Sequence, residues 1–256
     1  MQVTMDTLPV VLQPIIDNAT VTPITVGHSA DHVYRVVVAE DEIYYLKIGR
    51  SLQAEHERLL WLVDKLPVPR VMHFEISGGK HYLLSSVLQG TMLHESTLSF
   101  EKRVVLLADA VRMWHAVPID DCPFSWTVSE QVQTARERLN SGRVDETTFD
   151  QQFYGKSANE LFADLLNAMP DEEDLVLAHG DFSLPNVLVD DTAEEVVGFV
   201  DVGDMGVSDR HLDLVIASRS LWWNMGGAWV EKFYDAYGVP LDKAKYRFYS
   251  ILTSFF

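Results

Sequence analysis

Three polar side chains follow short apolar segments in the C-terminal half of the chain. Asp181 and Asn186 lie in LAHGDFSLPNVLVD, and Asp201 lies in the later segment GFVDVGD. Carboxylate and amide oxygens are ligands that Mg²⁺ takes together with phosphate oxygens and water. Asn186 and Asp201 are therefore candidate metal ligands, and Asp181 is left as a candidate base for the proton of a hydroxyl group.

The spacing Asp-x-x-x-x-Asn, followed by an Asp at the end of a later strand, is the phosphoryl-transfer arrangement of protein kinases. That arrangement also needs a strand lysine, held by a helix glutamate, that reaches the phosphates. Lys47 in YYLKI and Glu55 downstream fit these two positions, with Glu57 as a rival for the second. Tyr45 shares a sheet face with Lys47 because strand side chains alternate, and its ring is placed to stack on an adenine.

A glycine-rich phosphate loop of the form GxGxxG is absent from the sequence. The segment VGHSADHVYRV offers only Gly27 and Ser29 where such a loop would lie. A turn there can still present backbone amides to phosphate oxygens. Within the catalytic segment, His179 is predicted to brace the loop by hydrogen bonding.

The first third of the chain predicts a small antiparallel sheet that carries one helix. HVYRVVVA and EIYYLKI, separated by an acidic turn, are typical of a hairpin, and Gly78-Gly79 marks a second one. Between the hairpins, Ser51 is placed to cap a helix that ends before LPVPR.

After Gly90 the pattern becomes mainly helical. The sequence predicts a long amphipathic helix at 101–117, and further helices at 128–140, 157–168, 211–223, 227–237 and 242–255. We therefore predict an α+β fold with an N-terminal nucleotide-binding lobe at 1–88 and a C-terminal catalytic and substrate-binding lobe at 89–256.

Composition narrows the choice of partners. The net charge of −18 disfavours nucleic acid and anionic membranes and attracts cations, including a polycationic ligand, although solubility alone is an equal explanation. One cysteine, no signal-peptide pattern and no long apolar run predict a cytoplasmic protein without disulfides. The oligomeric state is left open.

The chain resembles the aminoglycoside 3'-phosphotransferases, which are antibiotic-resistance kinases with a bilobal protein-kinase-like fold. The resemblance rests on HGDFSLPNVLVDD, GFVDVGDMGVSDRHLDLVIASRSL, LPVPRVMHFE, YLKIG and AEHERLLWLVDKLPVP. These segments occur in order along nearly the whole chain. GVSDRHLDL and LPVP narrow the likeness from the wider kinase-like superfamily to the 3'-phosphotransferases.

The resemblance implies a role for each matching position. Asp181 is the catalytic carboxylate, Asn186 and Asp201 bind Mg²⁺, and Lys47 contacts the phosphates of ATP or GTP while it pairs with Glu55. The other nucleotide contacts are Tyr45 on the adenine, Ser29 over the phosphates, and the backbone of Ser86 and Leu88 at the adenine edge. Asp150 and the carboxylate of Phe256 match positions that bind aminoglycoside amines.

Three departures from the family pattern fall on the acceptor side. Thr253-Ser254 replace an acidic pair, Trp222-Trp223 occupy the region of an acidic position, and Asp204 replaces an arginine. Asp204 thereby becomes a further candidate carboxylate for an acceptor amine.

The sequence as a whole predicts an ATP- or GTP-dependent, Mg²⁺-using kinase that phosphorylates an aminoglycoside at its 3'-hydroxyl and confers resistance. The missing acidic groups predict weaker or narrower aminoglycoside recognition. The alternatives are a kinase of another hydroxylated small molecule, such as a macrolide, and a nucleotide-binding pseudokinase.

Overall fold

The computed structural model describes residues 8–17, 19–24 and 31–256 of the chain. These residues divide into two compact units. The first contains the described residues up to Gln89 together with Val197–Gly203, and the second contains Gly90–Val196 and Asp204–Phe256. A short segment from the C-terminal half therefore packs with the N-terminal strands, and it carries Asp201.

The first unit is built on a five-stranded antiparallel sheet in the order β1-β2-β3-β5-β4. Its elements are β1 (Thr20–Ile24), β2 (His32–Ala39), β3 (Glu42–Gly49), β4 (Val71–Ser77), β5 (Lys80–Ser86), α1 (Gln13–Ile16) and α2 (Gln53–Leu62). One sheet face is apolar at alternating positions, such as Leu46 and Ile48 of β3, and packs against Leu12 of the N-terminal segment. The opposite face carries Tyr45 and Lys47 because side chains alternate along a strand.

Both predicted hairpins form. The β2–β3 hairpin spans the expected segments, and Gly78 and Gly79 join β4 to β5 with φ angles of 58° and 74°. Positive φ at both central residues is the requirement of a type I′ hairpin turn, which glycine meets without steric cost.

The predicted cap of α2 is wrong. Leu52 occupies the cap position, and no side chain there accepts a hydrogen bond from the first turn. The chain enters the helix one residue later than predicted, so Ser51 lies outside the position from which a hydroxyl caps a helix. The short helix α1, which precedes β1 in the chain, was also not predicted.

The second unit is mainly helical, as predicted. Its helices are α3 (Phe100–His115), α4 (Val128–Asn140), α5 (Ala158–Asn167), α6 (His211–Met225), α7 (Ala228–Tyr237) and α8 (Lys243–Leu252). Capping boxes begin α4 at Thr127 and α5 at Ser157, with Glu130 and Glu160 as the reciprocal partners. The predicted helices 128–140 and 157–168 therefore match to within a residue.

Short strands lie among these helices. They are β6 (Thr91–Met92), β7 (Leu175–Ala178), β8 (Val187–Asp190) and β10 (Gly206–Asp209), while β9 (Glu195–Phe199) continues from the second unit into the first. β7 pairs antiparallel with β10, and β6 with β8. Asp181 and Asn186 lie between β7 and β8, so both ends of this segment are fixed by strand pairing.

Among the helices of the described part of the chain, none combines the length and the apolar composition that a membrane span requires.

Asp209, at the end of β10, is an acid with no exposed surface. Its carboxylate lies 2.6 Å from Lys245 Nζ and 2.7 Å from His211 Nδ1, and it accepts the His211 amide at 2.9 Å. Burial alone would raise the pKa of this carboxyl, but these donors outweigh it and hold the pKa below its usual value. The ionised form therefore stabilises the fold.

We expect acid to weaken the second unit through Asp209. A depressed native-state pKa gives stability that is complete above the unfolded-state pKa of about 3.9 and is lost as pH falls through the native value. Asp209→Asn should lower the free energy of unfolding at pH 7 by about 3–5 kcal/mol, because it leaves the largely shielded ammonium of Lys245 without its counter-charge. Urea unfolding measured from pH 7 to pH 3 should show a smaller pH dependence in this variant.

The matched control is Asp235→Asn, which removes an exposed acid from α7. It should leave both the stability and its pH dependence near those of the unaltered chain. An Asp209→Asn protein as stable as this control at pH 7 would contradict the assigned role of Asp209.

Candidate functional site

The segment after β7 makes a turn that only glycine accommodates. Gly180 has a φ of 86°, and a Cβ added there would lie 2.4 Å from the backbone oxygen of Asp204. A side chain would therefore have to push the two segments apart. Close packing of the backbone places Asp204 directly against the residue that precedes Asp181.

A buried aspartate accepts hydrogen bonds from the backbone of this turn. Asp213, in the first turn of α6, has no exposed surface and accepts the His179 amide at 2.9 Å and the Gly180 amide at 3.0 Å. His115 Nε2 lies 3.1 Å from the same carboxylate, and Tyr237 lies 2.7 Å from the other ring nitrogen of His115. The sequence analysis missed Asp213, although an acid between two leucines in HLDLV was a usable signal.

Asp181 is half-buried and is oriented by contacts from its own segment. Its carboxylate accepts a hydrogen bond from Asn186 Nδ2 at 2.8 Å, and its amide donates to His179 Nδ1 at 3.2 Å. Because Nδ1 accepts this bond, a neutral His179 carries its proton on Nε2. The predicted bracing role of His179 is confirmed.

Asn186 uses its amide group as a clamp. Nδ2 donates to the carboxylate of Asp181 and also, at 2.9 Å, to its backbone oxygen. With both amide hydrogens directed at Asp181, the carbonyl oxygen of Asn186 is left for a different partner. A neutral oxygen of this kind fits a hard cation.

In the first unit, Lys47 pairs with two carboxylates. Its ammonium lies 2.6 Å from Glu55 Oε1 and 3.0 Å from Asp201 Oδ1. Burial lowers the pKa of Lys47, but the two carboxylates outweigh it and raise the pKa above its ordinary value, so the ammonium stays charged. Glu57 is exposed and bonds to Gln53 instead, which resolves the choice between the two glutamates.

Glu55 is nearly buried at the start of α2, and burial raises the pKa of its carboxyl against the opposing effect of Lys47. Asp201 differs, since its side chain is 55% exposed. It also adopts a φ of 60°, a conformation that Asp and Asn tolerate better than most other residues with a side chain. The exposed carboxylate of Asp201 therefore has room for a ligand beside Lys47.

The other predicted nucleotide-binding residues are Tyr45, Ser86, Leu88 and Ser29. Tyr45 is half-buried on β3, and Ser86 ends β5 with its amide and hydroxyl both bonded to the backbone of Arg70. Leu88 packs on Gly198, where a Cβ would lie 2.5 Å from the leucine side chain. These three lie in the same unit as Lys47, whereas Ser29 lies outside the described residues.

The predicted acceptor-binding residues differ in their ion-pair and hydrogen-bond partners within the protein. Asp150 is bound by Arg219 at 2.9 Å, and the backbone oxygen of Phe256 accepts from Arg138 at 3.0 Å. Asp204 is exposed, and its side chain makes no hydrogen bond or ion pair within the described ranges. Of these three residues, Asp204 is thus the one that no arginine holds within the described ranges.

The chain is similar to known phosphotransferases along most of its length. The profile of the phosphotransferase enzyme family APH matches residues 20–249. The chain belongs to this family. An aminoglycoside 3'-phosphotransferase of Niallia circulans is 34% identical, with 97% of each chain covered.

Two solved structures of the APH family extend the comparison. The crystal structure of an aminoglycoside 3'-phosphotransferase of type VIII superposes with a TM-score of 0.84 at 30% identity, covering 93% of this chain and 94% of that one. The aminoglycoside phosphotransferase APH(3'')-Id from Streptomyces rimosus, in complex with ADP and streptomycin, gives a TM-score of 0.79 at 27% identity with 93% of each chain covered.

These findings confirm three of the sequence predictions for this APH member. The resemblance to aminoglycoside 3'-phosphotransferases, the kinase-like α+β fold and the assignment as a phosphotransferase enzyme are correct. Family membership and the presence of Asp181, Asn186 and Asp201 together argue against the pseudokinase alternative.

Proposed function

We propose that this chain transfers the γ-phosphate of ATP or GTP to the 3'-hydroxyl of an aminoglycoside and thereby confers resistance. The observation that carries the proposal is the clamped carboxylate of Asp181, held by Asn186 and His179 on a turn fixed by Asp213. The relative from Niallia circulans, named for 3'-phosphotransfer, supports the choice of hydroxyl.

Asp181 acts as the base of this reaction. Its carboxylate orients the acceptor hydroxyl and takes its proton as the oxygen bonds to the γ-phosphorus; the bond from that phosphorus to the β–γ bridging oxygen breaks, and the nucleoside diphosphate leaves. The hydrogen bond from Asn186 orients the carboxylate, and His179 accepts a hydrogen bond from the backbone amide of the same residue. Phosphoryl transfer depends mainly on such positioning, so a rigid turn favours catalysis.

Lys47 and its neighbours bind the nucleotide. The ammonium of Lys47, kept charged by Glu55 and Asp201, contacts the phosphates. Tyr45 stacks on the base, and the backbone of Ser86 and Leu88 meets its edge. The ADP bound to the Streptomyces rimosus enzyme supports nucleotide use by this fold.

Asn186 and Asp201 hold Mg²⁺ in this proposal. The carbonyl oxygen of Asn186 and the exposed carboxylate of Asp201 are the donor types that a hard cation takes along with phosphate oxygens. When bound, the metal neutralises charge on the phosphates. The division into a nucleotide-binding lobe at 1–88 and a catalytic lobe at 89–256, and the cytoplasmic location, are part of the same proposal.

The acceptor is attracted by the net charge of −18 and then held by Asp204, Asp150 and Phe256. Asp204 contributes most to binding an ammonium group, because arginines already hold Asp150 and the Phe256 backbone oxygen. The partial neutralisation of these two groups also favours a second candidate, a kinase of a less cationic hydroxylated molecule such as a macrolide.

The test is a panel of aminoglycosides and macrolides incubated with ATP and with GTP, with the product mass measured. A product heavier by one phosphate from aminoglycosides that carry a 3'-hydroxyl, and none from analogues lacking it, is the expected result. Phosphorylated macrolide alone would establish the second candidate. No product from any 3'-hydroxyl aminoglycoside, together with acceptor affinity unchanged between low and high salt, would rule out the first.

We expect Lys47→Ala to raise the KM for nucleotide by about 10- to 100-fold, because a hydrogen bond to a charged group contributes about 1.5–3 kcal/mol. The KM for the acceptor should change far less, since Lys47 is assigned to the phosphates. Steady-state kinetics with each substrate varied in turn measures both values.

Lys80→Ala is the matched control for this variant. Lys80 also lies in the sheet, at the start of β5, and its side chain has no ion-pair partner within the described ranges. It should leave both KM values unchanged. Equal increases of both KM values in Lys47→Ala would indicate a folding defect of the sheet instead of a lost phosphate contact.

A further inference from the structure

A cavity of about 600 Å³ opens in the second unit between the segment 147–154 and helix α6, with Tyr246 of α8 in its wall. Its volume is in the range that small-molecule ligands occupy. The cavity contains Asp150 together with Trp222 and Trp223, which stand in the region of an acidic family position. The charge and polarity of its lining therefore indicate which class of ligand the cavity binds.

The lining carries no net charge. Among the described residues around the cavity, Asp150 is the one acid and Arg219 the one base. They pair at 2.9 Å, with side chains only 15% and 14% exposed. Arg219 also donates to the hydroxyl of Thr253, so its guanidinium is fixed from two sides. An ammonium group entering this cavity would have to displace Arg219 before it could use the carboxylate of Asp150.

Two exposed indole rings dominate the wall. Trp222 and Trp223 are 50% and 62% exposed. Trp222 lies close to Gly227, where an added Cβ would be 2.8 Å from the ring. The guanidinium of Arg219 lies 5.1 Å from the centroid of Trp223. A cation already occupies this ring, so a second cation would meet a like charge there.

The remaining polar groups are uncharged. Thr147, Thr148, Gln151 and Gln152 supply hydroxyls and amides, which both donate and accept hydrogen bonds. Sugar hydroxyls have the same dual capacity, and the C–H face of a sugar ring is a flat apolar surface that fits an indole. An ammonium group only donates, so it would use the acceptor oxygens of these side chains and leave their hydrogen-bond donors without a partner.

We infer that this cavity binds an uncharged, hydroxyl-bearing sugar ring of the acceptor, with Trp222 and Trp223 against the face of the ring. The inference rests on the proposed function for the identity of the acceptor. The cavity then selects its ligand by stacking and by neutral hydrogen bonds, and not by charge, because the ring that enters carries hydroxyls in place of amines. The ammonium groups of the acceptor then bind elsewhere, with Asp204 available to them.

The experiment measures binding without phosphoryl transfer, so it is independent of the proposed reaction. The probes are methyl β-glucopyranoside and its 2-amino-2-deoxy analogue, which differ by one hydroxyl and one ammonium. Saturation-transfer NMR on the full chain should show the neutral glycoside bound with an affinity about 3- to 10-fold higher than the amine, a ratio typical of differences in aromatic contact.

Trp222→Ala and Trp223→Ala should each weaken binding of the neutral glycoside. Trp229→Ala is the matched control, because Trp229 packs against Phe100 away from the cavity lining, and it should leave binding unchanged. Trp223→Glu should reverse the preference towards the amine. Thermal unfolding of each variant checks that the second unit is folded.

Three outcomes would overturn the inference. They are tighter binding of the amine by the unaltered chain, binding of neither glycoside, and equal binding by folded Trp222→Ala, Trp223→Ala and Trp229→Ala proteins. Failure of the proposed function is recognised separately, as the absence of phosphorylated aminoglycoside.

Discussion

Replacing Asp181 with asparagine should lower kcat for phosphotransfer by about 10²- to 10⁴-fold, the usual contribution of a positioned general base. An asparagine amide has the shape of the carboxylate but neither accepts the hydroxyl proton nor carries its charge. The contacts that hold the turn should persist, because His179 and Asn186 also bond to the backbone of residue 181. Product mass over time measures the loss.

Nucleotide affinity distinguishes a missing base from a damaged fold. Titration calorimetry with the nucleotide should give a Kd for Asp181→Asn close to that of the unaltered chain. Asp171→Asn, which removes an exposed acid ahead of β7, should retain full activity. Retention of more than a few per cent of kcat in Asp181→Asn would remove the assigned role of Asp181.

The fold was largely predictable because its elements are specified by local sequence. Strand alternation in EIYYLKI and the Gly78-Gly79 turn encode the two hairpins, and the capping boxes at Thr127 and Ser157 fix where two helices begin. The start of α2 was not predictable in this way. Leu52 occupies its cap position without a side-chain hydrogen bond, so tertiary packing overrides the local preference for Ser51.

The site was predictable where its residues are close in sequence. Asp181 and Asn186 are five residues apart and make their contact within one turn. Asp213 supports the same turn from 33 residues away, and no local pattern shows that its carboxylate faces two backbone amides. Long-range contacts of this kind depend on how β7 and α6 pack.

The predicted acceptor-binding residues also make long-range contacts that the sequence does not reveal. The sequence identified Asp150 as a carboxylate for an amine, but it could not reveal that Arg219, 69 residues later, already neutralises it. Thr253, noted only as a missing acid, accepts a hydrogen bond from the same guanidinium. Net charge along a chain therefore does not give the charge of one cavity.

Replacing Asp201 with alanine should abolish Mg²⁺-dependent nucleotide binding or turnover. Asp201 is the one charged group assigned to the metal, and the metal contributes several kcal/mol, which corresponds to a loss of about 10²- to 10³-fold or more. Asn186→Ala should be milder in metal binding, since water replaces a neutral oxygen. It should nevertheless lower kcat, because it also releases the carboxylate of Asp181.

Asp201→Asn separates loss of charge from strain in the backbone. Residue 201 has a φ of 60°, which asparagine tolerates better than alanine, so the Asn variant removes the charge with little effect on the turn. Glu55 still pairs with Lys47 in both variants, which keeps the lysine in place.

The control is Asp64→Asn, which removes an exposed acid in the same unit and should bind Mg-nucleotide normally. Calorimetric titration with nucleotide, with and without Mg²⁺, measures the difference, and unchanged Mg-dependent binding in both Asp201 variants would overturn the metal assignment.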